Sequence, residues 1–149
     1  MLLLDANILI YAFRRDLPWH AAAKQWLERK LSEQKALALH DLSELPFLRI
    51  TTNRRAMARP SSFDEATAFL EVLKASPAVS HLDTGPEHRT IFARLCREHR
   101  LSGNDLTDAF LAAVAIEAGV TLVSADEGFA RFRNRRWLTP MDDSATPQE

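Results

Sequence analysis

The sequence predicts an α/β domain built on a mainly parallel sheet. Two observations carry that expectation: short continuous apolar runs that read as strands buried on both faces, and amphipathic stretches of helical period between them. A third bounds it, because 149 residues with 46% apolar and 26% charged content suit one packed globular domain.

Taken in order, residues 1–4 (MLLL) form the first expected strand, ending at Asp5. Asp16-Leu17-Pro18 reads as a helix start, with Asp16 as N-cap and Pro18 inside the first turn. Trp19, Ala22, Trp26, Leu27 and Leu31 then recur at helical spacing to about Glu33. Residues 36–39 are a second buried strand, followed at once by His40-Asp41. Residues 42–50 read as helical provided that Pro46 lies near the first turn. Ser61, Ser62 or Asp64 can cap a helix that runs through Leu73, and residues 77–82 are a short strand ended by Asp83-Thr84-Gly85. Residues 87–100 are helical, with Ile91, Leu95 and Cys96 on one face. Gly103-Asn104-Asp105 opens a strongly apolar helix that stops at Gly119. Residues 120–124 are a strand leading to Asp126, residues 136–138 a last strand, and 141–149 a polar tail expected to fray.

Lys and Arg number 19 and Asp and Glu 20, a net charge of −1. That balance excludes a polycation holding nucleic acid by bulk charge, though not a local basic patch. The single cysteine, Cys96, excludes an intramolecular disulfide or a multi-thiolate zinc site and fits a reducing compartment. The apolar start carries Asp5 and Asn7 with no basic residue ahead of them, so neither a signal peptide nor a membrane span is expected. A cytoplasmic domain with no membrane partner follows. Neither a G-x-G-x-x-G nor a P-loop pattern occurs, which leaves dinucleotide and nucleoside-triphosphate sites without support.

The acids are more informative. In open parallel sheets ligands bind beyond the carboxyl ends of the strands. Three expected strands deliver acids there: Asp5, Asp41 and Asp126. Asp105 and Asp108 open the most apolar helix, three residues apart and so on one face, and Glu44 follows Asp41 closely. Converging carboxylates repel one another unless a cation joins them. All-oxygen donors in an open site suit Mg²⁺ or Mn²⁺, which orient and deprotonate water for attack on phosphorus. Each acid also has a local explanation. Asp5 and Asp126 can end strands in turns, Asp105 can be an N-cap, and Asp108 can complement the helix dipole.

LLLDANILIYA near the start, TDAFLAAVAIEAGVTLVSADEGFARF late in the chain, FLRITTNRR and the closing RRWLTP resemble the PIN-domain ribonucleases, specifically VapC-type toxins of bacterial toxin–antitoxin pairs. The resemblance spans about residues 1–140, taken as one nuclease domain, with 141–149 as the tail. It implies a three-layer α/β/α sandwich, Mg²⁺ or Mn²⁺ dependence, endonucleolytic cleavage of RNA (structured RNA such as tRNA by family precedent), a cognate antitoxin and a homodimer. Asp5, Asp108 and Asp126 match the family's metal-binding acids, and Asn7 and Ser124 match positions that support the pocket. The family's usual Glu, three residues before the Arg of FLR, is Pro46 here. Glu44 is the preferred substitute because of its reach, with Asp41 as the alternative.

Arg49, Arg54 and Arg55, with Arg59, form one basic cluster, and Arg131, Arg133, Arg135 and Arg136 a second. Either can grip RNA phosphates, meet an antitoxin, or simply be solvated. The histidines have no metal spacing, and only His40 lies near the acids in sequence, where a structural role is expected. Trp19, Trp26 and Trp137 suit core or dimer surface, and Cys96 the core. A phosphate-accepting signalling domain also gathers acids at strand ends, but needs an acid pair after the first strand, where this chain has Asp5-Ala6-Asn7. A catalytically dead PIN module that acts by binding protein or RNA is the alternative that Pro46 keeps open.

Overall fold

A computed structural model describes residues 1–132 and 137–140. Its centre is a five-stranded sheet in the order β3-β2-β1-β4-β5, parallel at every pairing, so the mainly parallel expectation holds throughout. The strands are β1 (Leu2–Leu4), β2 (Leu37–Leu39), β3 (Val79–His81), β4 (Thr121–Val123) and β5 (Trp137–Leu138). The helices are α1 (Ala6–Phe13), α2 (His20–Ser32), α3 (Asp41–Thr51), α4 (Phe63–Lys74), α5 (His88–Glu98) and α6 (Asp105–Ala118).

The alternation along β1 shows why three layers form. Leu2 and Leu4 join one core with residues of α1 to α4, whereas Leu3 joins the other with Leu95 of α5 and the apolar face of α6. Ala38 and Leu122 repeat the choice of Leu3, while Leu37, Leu39 and Val123 repeat that of Leu2 and Leu4. A strand covered on both faces has no polar register to show, hence the unbroken apolar runs. Trp26 and Phe47 fill the first core, and Phe129 and Phe132 close the second.

Several local expectations need correction. Helix α1 follows β1 at once, with Asp5 as its N-cap, where no helix is predicted. Its residues ANILIYAF are apolar nearly all round, so no amphipathic period marks them. Asp16 does not cap α2, which begins at His20 with Trp19 at the cap position. The Asp16 carboxylate instead takes two 2.8 Å hydrogen bonds from the Arg14 guanidinium, a stronger partner than free helix amides. Pro46 is the sixth residue of α3, beyond its first turn. Asp105 is the first helical residue of α6 and Asn104 precedes it, so Asp105 is not the cap. By contrast, Ser62 caps α4 through the Glu65 amide, and Gly119 ends α6 in the left-handed conformation at φ 66°. Cys96 packs half-buried against the second core, and Trp19 is exposed beside Tyr11. Trp137 contributes its backbone to β5, while Arg133 and the tail at 141–149 lie outside the described residues.

One buried hydroxyl fixes α3 against the sheet. Ser43 donates to the Leu4 carbonyl at the end of β1 and accepts from the His40 amide. Ser43→Ala leaves that carbonyl and amide short of a partner away from water and is expected to cost about 1–3 kcal/mol. In a domain of this size the thermal midpoint then falls by about 2–4 °C per kcal/mol, readable by circular dichroism. A midpoint equal to that of the unmodified chain removes Ser43 from this role.

Candidate active site

The strand order reverses between β1 and β4: from β1 the chain crosses to β2 on one side, and β4 lies on the other. Such a switch point leaves a crevice beyond the strand ends. Asp5 leaves β1 into it, and Ser124 and Asp126 leave β4, because Leu4 pairs with Val123. The resulting cleft, about 190 Å³, is lined by Asp5, Asn7, Thr107, Asp108 and Asp126, with Pro46 of α3 on its wall.

Ser124 organises this end of the sheet. Its fully buried hydroxyl donates to Asp5 Oδ2 at 2.7 Å and accepts from Asn7 Nδ2 and from the Asp126 amide, each at 3.0 Å. The Asn7 side-chain oxygen in turn accepts from the Ala125 amide at 3.1 Å. Every hydrogen-bonding capacity of the hydroxyl is thus spent, and Asp5, Asn7 and Asp126 are held relative to one another. Asn7 and Ser124 are thus joined to each other and to the ends of β1 and β4.

The local explanations also hold in part. Asp5 Oδ1 accepts from the Ala6 amide at 2.7 Å, and Asp126 Oδ1 accepts from the Gly128 amide at 2.7 Å, heading a 3₁₀ turn over Glu127–Arg131. Capping fixes these carboxylates and leaves further lone pairs for a ligand. Asp108 is held otherwise. The Arg131 guanidinium lies 3.5 Å from Asp108 Oδ2 and 3.3 Å from Asp105 Oδ1, bridging one turn of α6 to the end of the 3₁₀ turn. Arg131 belongs to the second basic cluster in sequence, but nothing in the sequence singles it out from its neighbours there.

Electrostatics mark the same acids. Burial raises Asp5 above the ordinary carboxylate range, aided by repulsion from Asp126 and opposed by the Ser124 and Ala6 hydrogen bonds. Asp108 is pushed up to about 6, first by burial, then by Asp126 and Asp5, with Arg131 opposing. Neighbouring carboxylates that resist ionising together form a cation-seeking arrangement. Among the described residues, no three His, Cys, Asp or Glu side chains converge closely enough to form a metal cluster unaided. The donor set is oxygen only and open to solvent on the Asp126 side. It therefore suits an ion that retains several waters, as Mg²⁺ does, rather than a closed protein cage.

The fourth acid is not where the sequence places it. Glu44 turns to the opposite side of α3, where its Oε2 pairs with Lys74 of α4 at 2.8 Å. Its position two residues before Pro46 puts it about 200° round the helix from the residue that faces the cleft, and α3 keeps its helical course through the proline. Asp41 opens α3 as an exposed residue above a separate, larger cavity and does not line the cleft. Arg49, Arg54 and Arg55 are exposed and likewise not among its lining residues. His40 serves structure, capping α3 by accepting the Leu42 amide on Nδ1 at 3.0 Å.

Fold and centre together define a doubly wound α/β domain with an acidic cleft at its switch point. The chain belongs to the PIN domain family, whose model matches residues 2–134. It is 42% identical to the ribonuclease VapC43 of Mycobacterium tuberculosis over 142 residues, covering 95% of this chain and 97% of that protein. The ribonuclease VapC31 of the same organism is 39% identical over 140 residues, covering 94% and 99%. In structure, the chain is similar to one from VapBC2 of Rickettsia felis bound to a promoter DNA fragment, with a TM-score of 0.69 at 17% identity, covering 93% of this chain and 97% of that one.

The raised Asp108 carboxyl makes stability depend on pH. Between the ordinary value of 3.8 and about 6 the folded chain holds a proton that the unfolded chain has lost. Stability from this group therefore falls as pH rises through that window and stays low above it. The side chain is 30% exposed, and screening leaves about 1 kcal/mol of the effect, a shift of about 2–4 °C. In chelator, Asp108→Asn is expected to melt that much higher than the unmodified chain at pH 7.5 and to match it at pH 4. Parallel curves at both pH values are the contrary result.

Proposed function

We propose that this chain is a divalent-metal-dependent endoribonuclease, the toxin of a toxin–antitoxin pair. The observation that carries the reading is the joint placement of Asp5, Asp108 and Asp126 at the β1–β4 switch point, the first and last fixed through Ser124. Support comes from relatives named as ribonucleases over nearly their whole length. The same reading gives the chain a homodimeric state and a cognate antitoxin as protein partner, the latter in keeping with its likeness to a chain from VapBC2. No helix among the described residues is long and apolar enough to cross a membrane.

Asp5, Asp108 and Asp126 would hold an ion of the Mg²⁺ or Mn²⁺ type, which when bound polarises a phosphate oxygen and makes water a better nucleophile. The protein's own contribution is placement. Ser124 and the Ala6 amide leave Asp5 little rotational freedom, so its remaining lone pairs have a set direction. Arg131 sits beside Asp108 as a guanidinium able to take a phosphate oxygen as a bidentate partner. Asp126, the most exposed of the three, stands on the side from which a polynucleotide arrives. Glu44 has no part in this centre.

Three measurements test the reading. Purified protein is expected to cleave RNA with Mg²⁺ or Mn²⁺ and to stop in chelator. Asp5→Asn and Asp108→Asn are expected to lower turnover by at least about a hundredfold, in line with the loss of a positioned charged group, while Glu44→Gln stays within about threefold of the unmodified chain. Cleavage that survives Asp108→Asn removes Asp108 from the catalytic centre and leaves it a helix-dipole role, and RNA binding without cleavage favours a binding-only module. Separately, Mn²⁺ at about 100 times its Kd is expected to stabilise the folded chain by about 2.7 kcal/mol, an effect that Asp5→Asn diminishes.

A further inference from the structure

A cavity larger than the acidic cleft lies next to the acids rather than on them. It measures about 760 Å³ and shares Leu42 and Thr107 with the acidic cleft, so a chain crossing the cleft passes its mouth. Its two walls differ in kind. One is apolar and aromatic, from Phe92 of α5 and Leu106 and Phe110 of α6. The other, from the ends of β2 and β3, presents Asp41, Asp83 and Thr84. His40 and His81 complete that wall, and among the described residues no lysine or arginine lines the cavity.

These walls suit a planar heterocycle and not a phosphate. An aromatic wall accepts the face of a base, and carboxylates accept hydrogen bonds from its edge but repel phosphate. The polar wall can be read atom by atom. His40 Nδ1 accepts from the Leu42 amide, so its proton is on Nε2, which donates to Thr84 Oγ1 at 3.0 Å. The Thr84 hydroxyl therefore keeps its own proton for another acceptor. Asp83 Oδ1 lies 3.2 Å from His81 Nε2, whereas Asp41 Oδ1 lies 3.8 Å from the same nitrogen, beyond hydrogen-bond range, so that no hydrogen bond among the described residues occupies the Asp41 oxygens. A free carboxylate takes two parallel donors best. Guanine alone among the common bases carries two adjacent donors on its Watson–Crick edge, N1–H and the 2-amino group, with a carbonyl beside them for a hydroxyl donor.

We propose that this cavity is a base-specificity subsite that takes an unpaired guanine next to the scissile phosphate, with Asp41 receiving its N1–H and 2-amino group, Thr84 donating to its O6, and Phe110 walling its face. The inference rests on the ribonuclease reading and names what that enzyme selects.

The test uses fluorescence anisotropy, in chelator, with short single-stranded oligoribonucleotides that differ at one central position: guanine, inosine, adenine, cytosine or uracil. Guanine is expected to bind at least about tenfold tighter than adenine, cytosine or uracil, and inosine, which lacks the 2-amino group, to fall between. Asp41→Asn is expected to reduce the guanine preference to less than about threefold at an unchanged melting temperature, and Asp83→Asn to reduce it less. If Asp41 acts only as a surface charge, its loss tightens every oligonucleotide equally and leaves the preference intact, which overturns the proposal. Equal affinities for all five oligonucleotides, in a protein that cleaves RNA when Mn²⁺ is added, overturn the subsite and leave the ribonuclease reading standing. A protein that neither binds nor cleaves any of them overturns both.

Discussion

The pairing of β1 with β4 is the constraint on which the rest depends. Leu2, Leu3 and Leu4 align with Thr121, Leu122 and Val123, and the Asp5 amide extends the ladder to the Val123 carbonyl at 2.9 Å. One residue of slip would move Leu3 into the wrong layer and take Ser124 out of reach of Asp5. Core packing and site geometry are therefore fixed by the same register. Two covered faces make that register costly to change, and the acids at its end inherit the rigidity.

Placing three carboxylates on so rigid a frame has an energetic consequence. Asp5 and Asp108 both resist ionisation, chiefly through burial, and Asp126 raises each of them by proximity. The fold tolerates this because apolar burial on both sheet faces supplies stability that the cleft does not. Arg131 relieves part of the repulsion from the α6 side, while Ser124 and backbone amides relieve part from the strand side.

What the sequence reveals follows from how directly residues map to backbone. Asp5 and Asp126 are legible because each follows an apolar run short enough to be only a strand, Asp108 because it opens a helix too apolar for solvent, and Asn7 and Ser124 only through the family resemblance. The parallel sheet is legible for the same reason. Helix α1 is not, since a segment buried on most sides has no period to detect. Glu44 is misplaced because side-chain reach is weighed against helix phase, and phase wins once Lys74 offers a partner on the far side. The Arg14–Asp16 pair defeats the capping expectation in a similar way, through a contact that local sequence does not announce as preferable to a cap. Arg131 is hidden among like residues; only the three-dimensional closeness of the 3₁₀ turn to α6 distinguishes it.

The Glu117 carboxylate near the end of α6 accepts two backbone amides, that of Gly85 at 3.0 Å and that of Glu87 at 2.7 Å. A β-carbon on Gly85 would overlap that carboxylate, so glycine is what allows the approach. Thr84 is the residue immediately before this staple and stands in the wall of the larger cavity. The backbone that follows Thr84 is thereby anchored by a side chain that does not line the cavity. Substitution at residue 85 or 117 would loosen that anchor without altering any residue that lines the cavity.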